Sequence, residues 1–237
     1  MLWRNPMFVV LVMAALLASA CQPIQPPPAD DALDPKTVLA IEAAIRHTMA
    51  EEHVPGVAIG IVKQDKLIYT KGFGVSDPTS NRAVTPQTIF QWSSIAKTVT
   101  ATAIMQLVEQ GKLDLDAPVT QYLPYFRLAD ERYKAITIRH LLSHTSGLPE
   151  YDDMNLSYWQ EAQSSYSDES ALEAYIRRLS NLQLLSAPGE QFAYSGTGYD
   201  VLGDVVAKIS GQSYETYAAE HIFAPLGMKH STFFLPE

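Results

Sequence analysis

Between Lys36 and Glu52 the apolar residues Val38, Ile41, Ala44, Ile45 and Met49 recur at the spacing of one helix face, which predicts an amphipathic first helix. At Gly56 the period changes. Residues 56–75 read as two β-rich runs joined by the polar Gln64, Asp65 and Lys66, a hairpin whose first strand alternates small and branched side chains, as strands do when a helix packs closely on them. The helical period returns over Ser94–Gln110, with Ile95, Val99, Ile104, Leu107 and Val108 apolar and Gly111 as a left-handed stop. Thr137 is placed to cap a short helix through "IRHLLSH" that Gly147 ends, and Ser170 with Glu173 makes a capping-box pattern ahead of "ALEAYIRRL". Two further helices fit Tyr199–Ser210, closed by Gly211, and Tyr214–Phe223, closed by Pro225 and Gly227. There is no internal repeat. A hairpin followed by a long, mostly helical run implies an α+β (α/β layered) fold, yet two strands make a poor sheet, so the pattern is short of strands.

The N-terminus does not belong to this pattern. Arg4, an apolar run from Met7 to Ala18 and the small residues Ala18, Ser19 and Ala20 form a secretory signal peptide. The apolar run is too short to span a bilayer as a mature helix. The only cysteine, Cys21, follows directly, and "LLASAC" resembles the lipobox of bacterial lipoproteins, with Ala18 where Leu is most common. Residues 1–20 are thus expected to be a lipoprotein signal, Cys21 the lipidated terminus, and 21–35, which include "QPIQPPPADDALDP", an extended proline-rich spacer. Residues 36–237 are left as the folded part. This architecture implies a bacterial envelope protein, exported and held to a membrane by its lipid. The formal charge of −9 disfavours a nucleic-acid partner, because phosphate binding needs a basic surface.

The chemistry of greatest interest lies at the start of the Ser94–Gln110 helix. Residues i and i+3 share a helix face, so Ser94 Oγ and Lys97 Nζ come within hydrogen-bond reach. A serine hydroxyl needs a base to act as a nucleophile, and a lysine among apolar neighbours can serve. The free N–H groups of the helix start favour negative charge building up beside it. Taken alone, Ser-x-x-Lys equally describes an N-cap serine, at Ser93 or Ser94, with a solvated surface lysine.

The surrounding sequence bears on that choice. "FQWSSIAKTVTATAIMQLVEQGKLDLDAPVTQYLP" resembles the first active-site motif of the penicillin-recognising serine hydrolases, in the branch of class C β-lactamases, related esterases and D-peptidases. "PGVAIGIVKQDKLIYTKGFGVSD", "ITIRHLLSHTSGLPEY" and "FAYSGTGYDVLGDVVAKISGQSYETYAAEHIFAPLGMKHSTF" resemble the same branch, in the same order. The resemblance implies a β-lactamase/transpeptidase-like fold, with Ser94 as the acylated nucleophile and Lys97 as the lysine of the first motif. Tyr194 stands as the acid/base partner that opens the Tyr-x-Asn motif. A phenol loses its proton near pH 10, so Tyr194 needs a cation close by to act at neutral pH. Gly196 stands at the substrate-binding position that usually holds Asn, which makes an ester a less demanding substrate than an amide or lactam. His140 and His144, four residues apart, lack the Glu and third ligand of a zinc site, and the resemblance makes their stretch a buttress of the pocket. Trp92 and Tyr125 read as wall or core.

The family's third motif, Lys/His-Thr/Ser-Gly, is missing, for none of the glycines after Tyr194 has Lys or His two places before it. In the family that strand supplies the second oxyanion donor beside the N–H of Ser94. The C-terminal sheet strands are therefore expected to be absent, the chain to be a fragment of a longer protein, and its activity in isolation to be weak. Two functions follow. One is a serine hydrolase that acts on an ester, amide or β-lactam carbonyl through an acyl-enzyme, with no metal and no organic cofactor. The alternative is a non-catalytic envelope lipoprotein that binds peptidoglycan peptides or a protein partner.

Overall fold

The computed structural model describes residues 32–150 and 171–233. The expected signal segment and Cys21 lie outside these residues, as does Ser170 of the expected capping box. The chain divides into two compact units, 1–88 and 89–237.

In the first unit, helix α1 spans Pro35–Glu51. Asp34 caps it, its Oδ1 accepting the Thr37 N–H at 3.0 Å, and Pro35 occupies the first helical position, where a missing N–H costs nothing. The helix thus includes the last residue of the expected spacer. Val38, Ile41, Ile45 and Met49 form its half-buried side, while Ala44 is exposed. Strands β1 (Gly56–Lys63) and β2 (Lys66–Asp77) pair antiparallel. Lys66 pairs with Lys63, so the turn is Gln64-Asp65 alone, and the φ values of 50° and 60° there give the type I′ geometry that suits strand twist. The register sets Val57, Ile59 and Ile61 across from Phe73, Lys71 and Tyr69 on one face. α1 lies over this face: Glu42 accepts from Tyr69 Oη at 3.1 Å and from Lys71 Nζ at 2.6 Å, and the Arg46 guanidinium sits 5.9 Å from the Phe73 ring centre. A third strand, β3 (Arg82–Ala83), pairs with β2 to complete a three-stranded sheet of order β1-β2-β3. Its two residues are too few to show an alternation in sequence. Gly72 lets the chain after β3 approach, because a Cβ there would lie 2.1 Å from the Val84 carbonyl oxygen.

The second unit is helical. A 3₁₀ turn over Ser93–Ile95 leads into α2 (Ala96–Glu109), followed by α3 (Val119–Tyr122), α4 (Ile138–Leu142), α5 (Ala171–Arg178), α6 (Gly196–Ser210) and α7 (Tyr214–Ala218), the last running on into a π turn over Ala219–Phe223. α6 is central, packed on by α2, α4, α5 and α7. Val201, Leu202, Val205 and Val206 of α6 pack with Ile104 and Leu107 of α2 and Ile138 and Leu141 of α4 in one core. Each such side chain contributes about 1.5–3 kcal/mol on removal from water. α2 buries Val99, Thr100, Ala103, Ile104 and Leu107. Ile95 is 66% exposed because it belongs to the 3₁₀ turn and faces away from this stripe.

Thr137 caps α4 as expected, but the helix ends at Leu142 and not at Gly147. Gly147, at φ 79°, serves a close chain approach, since a Cβ would meet the Ser186 carbonyl oxygen at 2.4 Å. Backbone hydrogen bonds tie the segments around it together: Leu185 N–H donates to Gly147 C=O at 2.8 Å, Gly189 N–H to Thr145 C=O at 2.7 Å and Ala193 N–H to His144 C=O at 2.8 Å. Glu173, the other half of the expected capping box, bonds Arg177 at 2.6 Å. Helices with one small antiparallel sheet make this an α+β chain, and among the described residues the sheet has no further strand.

Candidate active site

The turn over Ser93–Ile95 is where α2 departs from a simple helix start. Ser93 adopts φ 47°, a left-handed conformation that costs a non-glycine residue energy. Neither serine is an N-cap: Trp92 occupies that position and no side chain caps the turn. Ser94 Oγ instead shares a 2.6 Å hydrogen bond with Tyr194 Oη and accepts one from Lys97 Nζ at 3.4 Å. Lys97 Nζ also lies 4.9 Å from the Tyr194 ring centre and 5.7 Å from that of Tyr199. Three side chains from two distant stretches of sequence thus meet at one point.

Tyr194 reaches this point because α6 begins three residues earlier than its apolar period. Ser195 is its N-cap, 1% exposed, with Oγ accepting the Gly198 N–H and donating to Pro149 C=O, both at 3.1 Å. Tyr194 is therefore the last residue before a capped helix, and Gly196 is buried at the first helical position. The Gly196 N–H donates to Glu150 Oε2 at 2.5 Å, so a carboxylate lies at the positive end of α6, where the dipole favours it.

His144 supports Tyr194 from behind. Its ring lies 4.5 Å from that of Tyr194 at a 30° tilt and 5.1 Å from that of Tyr199, and its Nδ1 accepts the Ser195 N–H at 3.1 Å. His140 has a different task, its Nδ1 accepting the Thr137 N–H at the start of α4. The two imidazoles engage separate backbone amides.

The electrostatics favour proton transfer at this point. The hydrogen bond from Lys97 holds the Tyr194 phenol below its ordinary value, with the Ser94 bond and the Lys97 charge adding to the effect. Burial lowers His144, and the charge of Lys97 lowers it further. A cavity of about 490 Å³ opens on Ser94 and Lys97, with Thr100, Gly196, Tyr199 and Tyr214 among its walls. Thr100 and Tyr214 bond at 2.7 Å on its inner side, and burial pushes the Tyr214 phenol up to about 12.

Trp92 is half-exposed and meets Phe223 edge to face at 6.1 Å. Tyr125 is half-buried, its hydroxyl donating to Asp204 Oδ2 at 2.9 Å. Ser195 and Glu150 are the site neighbours that sequence reasoning missed as such, whereas His144 lies in the stretch expected to buttress the pocket. The serine three residues ahead of Gly198 was the one visible signal, since it fits an N-cap.

A small antiparallel sheet with a helical unit that brings serine, lysine and tyrosine together is the architecture of the penicillin-recognising hydrolases. The chain belongs to the Beta-lactamase family, whose pattern it matches over residues 41–237. Esterase EstB of Burkholderia gladioli is 33% identical over 204 residues, covering 81% of this chain and 50% of its own length. Among solved structures, the octameric penicillin-binding protein homologue of Pyrococcus abyssi is 36% identical with a TM-score of 0.71, over 83% of this chain and 44% of that one. A class C β-lactamase solved with cefoxitin is 27% identical with a TM-score of 0.69, over 85% and 52%. The chain spans 38% to 50% of the length of the curated relatives it matches.

Proposed function

We propose that this chain is a serine hydrolase that forms an acyl-enzyme at Ser94. Ser94 Oγ bonds to the carbonyl carbon of an ester, amide or lactam, whose C=O opens to an oxyanion, while its proton passes to Tyr194 in its phenolate form, which the adjacent Lys97 ammonium favours. Collapse of the tetrahedral adduct breaks the bond to the leaving group, which takes up that proton. Water then hydrolyses the acyl-Ser94 ester, with the same pair moving the proton. The observation that carries this reading is the 2.6 Å contact between Ser94 and Tyr194 with Lys97 beside both.

Esters are the favoured substrates, because Gly196 offers no side-chain amide to hold an acylamino group. The same glycine is what speaks for a non-catalytic scaffold. Incubation of the chain with a short p-nitrophenyl ester separates the readings: a burst of nitrophenol stoichiometric with protein, absent in Ser94→Ala, is expected of the hydrolase. Folded protein with no burst favours the binding scaffold. We further propose that Cys21 is lipidated and holds the folded part at the bacterial envelope, and incorporation of a clickable palmitate analogue that is lost in Cys21→Ala checks this.

A further inference from the structure

Beyond the three residues at the point of contact, one side chain is tied to Tyr194 from several directions. His144 grips the residues on both sides of Tyr194, its carbonyl oxygen accepting the Ala193 N–H and its Nδ1 accepting the Ser195 N–H. Its ring lies along the Tyr194 ring at 4.5 Å, with Tyr199 at 5.1 Å and Phe192 edge-on at 5.9 Å. His144 itself sits at φ 56°, a backbone conformation set by the bend after α4. An Nδ1 that accepts an amide proton carries none of its own, so the ring is the neutral tautomer with its proton on Nε2. We propose that His144 is a positioning residue whose neutral imidazole holds the Tyr194 phenol on Ser94, so that protonation of this ring sets the acid limit of Ser94 acylation.

The proposal rests on the acyl-enzyme reading above. Protonation puts a hydrogen on Nδ1, and the Ser195 amide then faces a donor in place of an acceptor. The clamp on one side of Tyr194 is lost. The groups facing the ring are Lys97 from α2, Glu150 from the loop after α4, and Tyr194 and Tyr199 at the start of α6. Lys97 opposes a second cation and Glu150 favours one. Burial is the main opposition to the cation, so His144 stays neutral below the pH at which a free histidine titrates.

Two substitutions separate this role from a merely structural one. His144→Asn keeps an acceptor near the place of Nδ1, tolerates the left-handed backbone and does not titrate in this range. His144→Phe keeps an aromatic ring and removes the acceptor. With the full chain, the rate of Ser94 labelling by a fluorophosphonate is followed from pH 4 to 8. Tyrosine labelled with ¹³C at Cζ reports Tyr194 in parallel, assigned by its loss in Tyr194→Phe. The wild-type chain is expected to show an acid limb in the labelling rate and an inflection of the Tyr194 signal at the pH where the His144 ring titrates. His144→Asn is expected to label faster than His144→Phe at pH 7.5 and to lose both the limb and the inflection. His144→Phe is expected to label at least about tenfold more slowly throughout. An acid limb that persists in folded His144→Asn, or a His144 ring that titrates without moving the Tyr194 signal, overturns the proposal while leaving the role of Ser94 intact. Absence of labelling in every chain, with the Tyr194 inflection present, counts instead against the acyl-enzyme reading.

Discussion

Lys97 reaches Ser94 Oγ and the Tyr194 ring together, so removing its charge alters both the nucleophile and the group proposed to take its proton. Lys97→Met keeps most of the side-chain volume and abolishes the cation. The Tyr194 phenol is then expected to move back up toward its ordinary value near 10, and the labelling rate of Ser94 at pH 7 to fall by about 10²–10⁴-fold, the range for loss of a positioned proton-transfer group. Titration of the Tyr194 signal and a labelling time course measure the two effects. Asp204 gives a second prediction, on stability. It is 4% exposed, accepts from Tyr125, and burial raises its carboxyl to about 6. The folded state therefore holds this proton more tightly than the unfolded state, whose carboxyl titrates near 3.8. Stability from this group is complete below about pH 4 and is lost as pH rises through about 6, a penalty of about 3 kcal/mol at neutral pH. Asp204→Asn is expected to raise stability at pH 7 by about 1–3 kcal/mol and to remove that share of the pH dependence, measured by urea unfolding at pH 4, 5, 6 and 7.

α4 and α7 announce themselves in sequence because an apolar stripe at helical period and a polar cap come from neighbouring residues, and α2 does so through its apolar stripe alone. The start of α6 does not. Its first turn, Gly196-Thr197-Gly198, carries two glycines and no apolar side chain, so periodicity places the helix at Tyr199 although the Ser195 cap draws it back to Gly196. The 3₁₀ turn at Ser93 is equally hidden, since a φ of 47° at a serine is not what local propensity favours. The resemblance to known motifs supplied Ser94, Lys97 and Tyr194. The contacts by which His144, Glu150 and Ser195 fix them join segments about 50 residues apart, and of the three only Ser195, as an N-cap, has a local signature. Ser195 is the element-scale test. Ser195→Ala removes the cap of α6 and the donor to Pro149 C=O, and is expected to lower stability by about 1–2 kcal/mol and slow Ser94 labelling. Restoration of both by Ser195→Thr and Ser195→Asp, which keep a capping oxygen, identifies the cap as the cause. Equal stability of Ser195→Ala and wild type speaks against it.

At the scale of the molecule, two compact units divide the work: residues 1–88 carry the small sheet, and residues 89–237 carry every side chain of the proposed acylation step. The chain spans half or less of the length of its curated relatives, and no Lys/His-Thr/Ser-Gly motif follows Tyr194 in its sequence. Mass-spectrometric mapping of the residue labelled when the purified chain is treated with a fluorophosphonate tests the central claim most directly. The predicted result is a single adduct on Ser94, undetectable in Ser94→Ala and strongly reduced in Lys97→Met and Tyr194→Phe. A folded chain that takes up no label, or one whose labelling at Ser94 is indifferent to Lys97 and Tyr194, contradicts the claim that these three side chains act together.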